Sequence, residues 1–279
     1  MKVFIIGAGV MSTGIAQVFA TGGHDVLITD ISESALLNSK KSITKSLSKL
    51  VEKEKITEDI KINILSKIET TLNLEDAKDA DLVIEAISEK ISLKKELFSK
   101  LDSICSKKTI FATNTSSLSI TEIATATKYP ERFIGMHFFN PAPVMKLVEI
   151  IKGYTTSSEV YETILSLSKN LGKEPVLCEE APGFVVNRIL IPMINEAVGI
   201  LADGVASTED IDNAMKYGAN HPIGPLALGD LVGLDVVLAI MDVLSSEFGD
   251  SKYRAHPLLK KMVRAGKLGR KSGEGFYKY

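Results

Sequence analysis

Residues 2–30 have the sequence KVFIIGAGVMSTGIAQVFATGGHDVLITD, and this stretch decides the fold of the first part of the chain. An apolar run ends in Gly7-Ala8-Gly9, a stretch of helical character follows, and a second apolar run ends in Asp30. This order predicts a strand, a tight glycine turn, a helix and a parallel second strand. At such a turn, backbone N–H groups and the positive end of a helix dipole face a pyrophosphate.

The glycine turn and the acidic residue together predict a dinucleotide site that prefers NAD to NADP. Gly7 permits the turn, and Gly9 lets the backbone approach the phosphates. Ser12 replaces the third glycine of the usual fingerprint, and its small side chain suits the close packing of helix on strand. Asp30 accepts hydrogen bonds from a ribose and repels a 2′-phosphate, and no arginine follows it. The structural alternative is a glycine turn that merely joins a strand to a helix.

The following residues continue to alternate apolar runs with helical periodicity, which predicts parallel βαβ units. Residues 32–51 and 58–68 form a predicted helical hairpin that projects between the second and third predicted strands. We therefore expect residues 1–182 to form an α/β domain with a Rossmann-type, doubly wound, mostly parallel sheet. The predicted strands are Val3–Ile6, Val26–Thr29, Leu82–Ala86, Thr109–Ala112, Phe133–Met136 and Leu147–Ile151.

After the segment CEEAPGF, which begins at Cys178, almost every pattern has a helical period. Residues 183–279 are therefore predicted to form an all-helical C-terminal domain that contributes to the substrate site and to dimerisation. The four predicted helices span residues 189–201, 208–217, 226–248 and 256–265.

The composition of the 279 residues is that of an ordinary globular protein, with 45% hydrophobic and 24% charged residues. A net charge of -2 gives no indication that the chain binds nucleic acid or an acidic membrane surface. The longest apolar run, residues 189–201, is interrupted by Asn195 and Glu196, which favours a buried helix over a membrane span. We expect a cytoplasmic protein with two reduced thiols, Cys105 and Cys178, and no metal site.

His137 is the candidate catalytic histidine. It ends an apolar run, and the carboxyl ends of strands in an open parallel sheet face the ligand crevice. Glu149 lies on the next strand-like run and can reach the imidazole if the two strands are neighbours. Such a carboxylate fixes the tautomer and raises the basicity of the ring, as a general base requires. Spacing alone favours the alternative of a histidine in a turn and a glutamate on a solvated face.

Two further polar groups occupy promising positions. Asn114-Thr115-Ser116-Ser117 ends another predicted strand at the same sheet edge, although such a cluster also suits a helix cap. Asn187 lies early in the helical domain, where it can bind a ligand or hydrogen-bond a neighbouring helix.

Long segments of the chain resemble the 3-hydroxyacyl-CoA dehydrogenase family, especially its clostridial members that act on four-carbon thioesters. The resemblance spans essentially the whole sequence, and strings such as HFFNPAPVMKLVE and PGFVVNR are too long and uncommon for chance agreement. The segments that carry it are GAGVMSTGIA, NTSSLSITEIA, IGMHFFNPAPVMKLVEI, APGFVVNRILIPMINEAVGIL, GANHPIGPLALGDLVGLD and GRKSGEGFYKY.

The resemblance implies a role for each matching residue. The His of HFFNP, His137, corresponds to the general base, and the Glu of KLVE, Glu149, orients it. The first Ser of NTSS, Ser116, and the Asn of PGFVVNR, Asn187, hold the oxygens of the substrate. The acid after the second strand, Asp30, takes the adenosine ribose.

Other matches concern the two ligands. Glu89 and Lys94 fall where the family contacts the nicotinamide-side ribose and phosphates, and Lys49 and Lys53 fall where it meets the CoA phosphates. Composition alone would place these last two lysines on a solvated face. The complete set assigned to cofactor binding is Gly7, Gly9, Met11, Asp30, Glu89, Lys94, Asn114 and Asn140.

The implied activity is the NAD-dependent interconversion of 3-hydroxybutyryl-CoA and acetoacetyl-CoA, in an active site between the two domains. The alternatives are a gulonate-type dehydrogenase of sugar acids and an NAD-binding protein without catalysis. A hydroxyisobutyrate-type dehydrogenase is disfavoured, because its catalytic base is a lysine where this chain has Asn187. The many apolar residues of the helical domain favour a homodimer formed through that domain.

Overall fold

The computed structural model describes all residues, 1–279, and they divide into two compact units, Met1–Ala181 and Pro182–Tyr279. The first unit alternates strands and helices as the apolar periodicity predicts, and the second is helical. The fold class predicted from the sequence is therefore confirmed.

The first unit is built on one sheet of eight strands in the order β3-β2-β1-β4-β5-β6-β7-β8. All neighbouring strands are parallel except β6 and β7, which are antiparallel. The first six strands have the order of a Rossmann fold, whose topological switch point lies between β1 and β4. The strands are β1 (Lys2–Ile6), β2 (Asp25–Thr29), β3 (Ile68–Thr71), β4 (Leu82–Glu85), β5 (Ile110–Thr113), β6 (Phe133–Phe138), β7 (Leu147–Lys152) and β8 (Glu174–Glu179).

Helices connect these strands and cover the sheet. The hairpin between β2 and β3 buries Leu36, Ile43, Leu47 and Ile64 in the core of the unit, so it is anchored along its length. The helices of the first unit are α1 (Val10–Thr21), α2 (Glu33–Glu52), α3 (Glu58–Ser66), α4 (Ile91–Ile104), α5 (Ile120–Ala124) and α6 (Ser158–Asn170).

Two strands were not predicted. The hairpin's second helix was predicted to run to Ile68, but it ends at Ser66 and Ile68 begins β3. The other unpredicted strand, β8, is an edge strand in which only Cys178 is buried, so it lacks a clear apolar alternation. Its Pro175 suits an edge position, where one backbone face needs no partner.

The second unit contains five helices rather than the predicted four. The prediction of one helix over residues 226–248 is wrong, because Gly233 interrupts it with a φ of 101°, a value that helical residues do not adopt. The observed helices are α7 (Val186–Ala202), α8 (Thr208–Gly218), α9 (Pro225–Val232), α10 (Leu234–Phe248) and α11 (Pro257–Arg264). Among the helices of both units, none has the length and apolar character needed to cross a bilayer.

Candidate active site

Gly7 forms the tight turn after β1. Its φ of 105° lies in the region that favours glycine, and a Cβ atom here would lie 2.9 Å from the carbonyl oxygen of Ala86. Gly9 then caps α1 without a side-chain hydrogen bond, so the first N–H groups of the helix can donate to an anion. The side chain of Met11 packs against the core, which leaves its backbone N–H as the group that it offers.

Ser12 replaces the third glycine of the fingerprint without disturbing the turn. Its side chain is fully buried, and its hydroxyl donates to the carbonyl oxygen of Gly9 at 3.2 Å. Gly14, two residues later, allows a different close approach, since a Cβ atom there would lie 3.1 Å from the Cβ of Ala142 in the loop after β6. The serine is therefore compatible with the packing that the missing glycine usually serves.

Asp30 is tied to the glycine turn. Its Oδ2 accepts from the N–H of Ala8 at 2.8 Å, and its Oδ1 accepts from the N–H of Ser32 at 2.9 Å. Each carboxylate oxygen has a second lone pair with which it can accept from a ribose hydroxyl. The carboxylate is thus held in a defined orientation at the end of β2.

The residues around this turn fit NAD. A cleft of about 630 Å³ borders Asp30, and its aliphatic lining suits the flat, weakly polar face of an adenine ring. The turn at Gly7 leaves no room for a Cβ atom, as expected where backbone approaches a pyrophosphate. The aliphatic residues of the cleft are Ile6, Ile31, Leu72, Leu74, Ala86, Ile87, Leu93 and Leu97.

His137 and Glu149 form a buried pair. The antiparallel register of β6 and β7 sets the two residues directly opposite each other, and imidazole Nδ1 lies 2.8 Å from Glu149 Oε2. The ring of Phe139 packs on the imidazole with a centroid distance of 4.5 Å. Because the carboxylate engages Nδ1, Nε2 is the ring nitrogen with which this histidine can exchange a proton with a ligand.

The end of β5 lies at the same sheet edge. Asn114 donates its N–H to the carbonyl oxygen of Glu85, and its Oδ1 accepts from the N–H of Phe138 at 2.8 Å. Asn114 therefore joins the ends of β4, β5 and β6. Its side-chain oxygen accepts a hydrogen bond from the backbone of β6, in addition to the role in cofactor binding that the sequence predicts for this residue.

Ser116 is hydrogen-bonded to Glu89. One carboxylate oxygen of Glu89 accepts from the Ser116 N–H at 2.7 Å, from the Ser116 hydroxyl at 3.1 Å and from the Thr115 hydroxyl at 2.5 Å. The other oxygen lies 3.4 Å from Lys94 Nζ. The loop that carries the candidate substrate-binding serine is thus held by a carboxylate assigned to the cofactor site.

Lys94 is far more buried than its assignment to the cofactor site suggests. It is 1% exposed, and its ammonium group lies 2.5 Å from the carboxylate of Glu85, which is 0% exposed. Glu85 was not predicted as a site residue. The available signal was an acidic residue at the end of the short apolar strand Leu82–Glu85, where a buried charge requires a partner.

A groove runs from the glycine turn along α2. Near the turn, a section of about 470 Å³ is lined by Gly9, Asn140 and other residues. Ser46 and Val144 border both this section and the next, which has a volume of about 430 Å³. The lysines of the second section are Lys45, Lys49, Lys53 and Lys55, of which the first and last were not predicted as site residues.

These four lysines, the lysine groove, are exposed and form no ion pair with a carboxylate of the chain. Lys45 and Lys49 lie one turn apart on the same face of α2, and Lys53, four residues further, is the residue that caps its C-terminus. The groove can accept a highly charged anionic ligand.

Asn187 belongs to the second unit. It lies in the first turn of α7 and is 9% exposed. The apolar residues that suggested a dimer in the sequence divide into two groups. Ile191, Ile240 and Met241 are buried in the core of the unit, whereas Ile189 is 68% exposed.

Comparison with known proteins identifies the family. Residues 2–181 match the profile of the 3-hydroxyacyl-CoA dehydrogenase, NAD binding domain, and residues 183–279 match that of the C-terminal domain. A 3-hydroxybutyryl-CoA dehydrogenase of Clostridioides difficile is 60% identical over 279 residues, 100% of this chain and 99% of that protein. The mitochondrial hydroxyacyl-coenzyme A dehydrogenase of Homo sapiens is 48% identical over 285 residues, 99% of this chain and 90% of that protein.

Solved structures agree with this result. The crystal structure of the (S)-3-hydroxybutyryl-CoA dehydrogenase PaaH1 from Ralstonia eutropha has a TM-score of 0.97 and 50% identity, covering 100% of this chain and 98% of that one. The glycine turn, the tethered aspartate and the cleft beside it belong to the NAD-binding domain that the profile describes. The chain is a member of the 3-hydroxyacyl-CoA dehydrogenase family of NAD-dependent enzymes.

Proposed function

We propose that the protein interconverts (S)-3-hydroxybutyryl-CoA and acetoacetyl-CoA with NAD(H). The observation that carries this proposal is the buried pair of His137 and Glu149 at the sheet edge that also bears the glycine turn. Relatives and solved structures named for this four-carbon substrate support the choice of substrate.

His137 acts as the general base in the oxidative direction. Its Nε2 removes the proton from the 3-hydroxyl group, and Glu149 stabilises the imidazolium through the 2.8 Å contact at Nδ1. Bound NAD⁺ supplies the acceptor for the hydrogen that leaves C3 with its electron pair. In the reductive direction, the same imidazolium returns the proton to the forming hydroxyl group.

Two residues position the substrate in this proposal. Ser116 hydrogen-bonds the reacting oxygen as it changes between alcohol and ketone. Its hydroxyl, which donates to Glu89 at 3.1 Å in the structure, turns its single hydrogen to the ketone, while the Ser116 N–H stays bonded to Glu89. Asn187 fixes the thioester side. The residues that bind NAD in this proposal are those of the glycine turn together with Met11, Asp30, Glu89, Lys94, Asn114 and Asn140.

The CoA part of the substrate binds in the lysine groove. Lys49 and Lys53 contact its phosphates, and the groove offers two further ammonium groups for the same purpose. Because the groove is continuous with the section lined by Gly9 and Asn140, one ligand can extend from the lysines toward the cofactor. A sugar acid is too short to reach the lysines.

We further propose a cytoplasmic homodimer formed through the second unit. Support comes from large apolar side chains of that unit that remain exposed, including Ile189 at 68%, Val205 at 73% and Tyr217 at 81%. In a fermenting cell, a dimer of this kind would reduce acetoacetyl-CoA. Sedimentation analysis of the protein and of Ile189→Asp tests the proposal, which a monomeric wild-type protein would contradict.

Oxidation of NADH by the purified protein tests the activity. Acetoacetyl-CoA should be reduced rapidly, whereas acetoacetate should not react. The N-acetylcysteamine thioester of acetoacetate should react with a raised KM, because it has the reacting group without the phosphates. Binding of NADH without turnover of any thioester would contradict the proposed function.

A further inference from the structure

Glu85, at the end of β4, is a buried carboxylate with no part in the mechanism described above. It is 0% exposed and accepts three short hydrogen bonds. The donors are Lys94 Nζ at 2.5 Å, the Thr113 hydroxyl at 2.6 Å and the Ile87 N–H at 2.7 Å. A buried charge is costly unless it is fully paired, so a carboxylate kept here calls for an explanation.

Lys94 links Glu85 to a second carboxylate. Its ammonium group lies 2.5 Å from Glu85 and 3.4 Å from Glu89, and the lysine itself is 1% exposed. The shorter distance identifies Glu85 as the main partner. The position of the ammonium group beside Glu89 is therefore set by a residue of the central sheet.

Glu89 in turn holds the loop of residues 114–119 between β5 and α5, the serine loop. It lies in a loop, its side chain is 36% exposed, and it accepts hydrogen bonds from Thr115, Ser116 and Ser117. Glu85, by contrast, lies on a strand that pairs with both β1 and β5. The contacts thus run from a rigid strand through Lys94 and Glu89 to Ser116.

We infer that Glu85 is a positioning residue for Ser116. It holds the ammonium group of Lys94 away from Glu89. The carboxylate of Glu89 can therefore accept hydrogen bonds from the serine loop. Without the charge of Glu85, Lys94 moves toward Glu89, its remaining counterion, and competes with Ser116 for that carboxylate. The inference rests on the proposed role of Ser116 in binding the reacting oxygen.

Glu85→Gln removes the charge and preserves the size of the side chain. The kcat for acetoacetyl-CoA should fall by about 10²-fold, the cost expected when a reacting group is misplaced by about 1 Å. The KM for acetoacetyl-CoA should be unchanged, because the lysine groove is elsewhere on the unit. An unchanged kcat would overturn the inference.

Asp102→Asn is the matched control. Asp102 and Arg132 form another buried ion pair of the first unit, with an Oδ1–Nη2 distance of 2.6 Å and side chains that are 4% and 5% exposed. Neither residue contacts the serine loop. This variant should lower Tm and retain the wild-type kcat, which separates a loss of stability from a loss of positioning.

A double-mutant cycle with Ser116→Ala distinguishes this inference from the proposed function. If Glu85 acts through Ser116, Glu85→Gln should cause no further loss of kcat in the Ser116→Ala background. Multiplicative losses would overturn the inference and leave the function intact. A wild-type kcat for Ser116→Ala would instead refute the proposed role of the serine.

Glu85→Asp provides the same information if Glu85→Gln does not fold. It keeps the charge but withdraws the carboxylate from Lys94 by one methylene, so the ammonium group is no longer held at its present distance and is drawn toward Glu89. Its kcat should fall in the wild-type background and not in the Ser116→Ala background. A wild-type kcat for Glu85→Asp in a folded protein would overturn the inference.

Discussion

At the scale of single residues, the proposed chemistry depends on one cross-strand pair. His137 and Glu149 face each other because β6 and β7 are antiparallel and in register at these two positions. Directly opposite side chains lie on the same face of a sheet, so the carboxylate meets the imidazole without help from a loop. The pair is therefore as rigid as the sheet that carries it.

His137→Ala should lower kcat by about 10²–10⁴-fold, the usual contribution of a positioned general base. The affinity for NADH should be unchanged, because the glycine turn and Asp30 do not depend on the imidazole. Steady-state kinetics and a fluorescence titration with NADH measure the two effects. His221→Ala, at a histidine outside the proposed site, is the control. Loss of NADH binding in His137→Ala would contradict the assignment.

Ser12 provides a second test at this scale. Ser12→Gly should leave the affinity for NADH unchanged and lower the free energy of unfolding by about 1 kcal/mol, through a glycine in a helix and a lost hydrogen bond. Ser12→Val should cost about 1–3 kcal/mol by overpacking a fully buried position and should weaken NADH binding. Urea unfolding and NADH titration of both variants check this, and tighter NADH binding by Ser12→Gly would contradict it.

At the scale of elements, α2 has two faces with different tasks. Leu36, Ile43 and Leu47 anchor one face in the core, and the lysine groove lies on the other. The helix begins at Glu33 because the hydroxyl of Ser32 accepts from the N–H of Ala35. A well-capped, well-anchored helix can present several like charges to a ligand.

Lys49→Gln combined with Lys53→Gln should raise the KM for acetoacetyl-CoA roughly tenfold, because two charge-assisted contacts with phosphates are lost. The kcat should be unchanged, and so should kcat/KM for the N-acetylcysteamine thioester. Steady-state kinetics with both substrates measure these values. Lys40→Gln is the control, since Lys40 is an exposed lysine of the same helix outside the groove. Equal effects on both substrates would contradict a CoA-binding role.

The break between α9 and α10 depends on Gly233. Gly233→Ala should lower the free energy of unfolding by about 1–3 kcal/mol, because a Cβ-bearing residue is strained at a φ of 101°. Gly218→Ala is the control, since a Cβ atom there would meet nothing within 4 Å and glycine is a poor helix former. It should be neutral or stabilising. Urea unfolding compares the two variants, and equal stabilities would contradict this account.

At the scale of the whole molecule, both units bury groups that resist ionisation. Burial raises the pKa of the Cys105 thiol of the first unit to about 11. In the second unit, partial desolvation and hydrogen bonds to Asp212 and Asp230 raise the pKa of Tyr277 and of the half-exposed Tyr279. Burial lowers the pKa of the Lys173 ammonium, whose Nζ donates to two carbonyl oxygens of residues 142–145. The groups whose pKa is raised bind protons more tightly in the folded state than in the unfolded state. The folded protein therefore loses stability as the pH rises through these pKa values.

Cys105 allows this effect to be isolated. An unfolded thiol ionises near 9.0 and the folded one near 11, so folding stability should fall as the pH rises through this interval. In Cys105→Ala, the free energy of unfolding should fall less steeply with pH. The difference in this free energy between the variant and the wild-type protein should change only above the pKa of the unfolded thiol. Urea unfolding over the same interval measures the slope. Lys173 and the tyrosines are present in both proteins, so their contributions cancel in the comparison. If the free energy of unfolding fell equally steeply with pH in both proteins, the raised pKa of Cys105 would be contradicted.

Local sequence patterns were sufficient for the cofactor domain. The glycine turn, the acidic residue after β2 and the alternation of strands with helices each depend on residues close in sequence, and they predicted an NAD-binding α/β unit followed by a helical one. Two strands, the half-buried β3 and the edge strand β8, were not predicted, because neither has a clear alternation of apolar and polar residues. The break at Gly233 escaped because glycine is also tolerated within helices.

The sequence by itself determined the fold class, the family and the position of the candidate base, because short-range periodicity and uncommon motifs carry that information. The family resemblance already implied that Glu149 meets His137, but only the tertiary structure decided how these two groups meet and which partner Lys94 has. The pairing of His137 with Glu149 required the register of two strands, and the contacts among Glu85, Lys94 and Glu89 required a strand, a loop and a helix to converge. The contact of Lys94 with Glu85 joins residues whose neighbours in sequence carry no sign of the partner, and burial strengthens it because water no longer screens the charges.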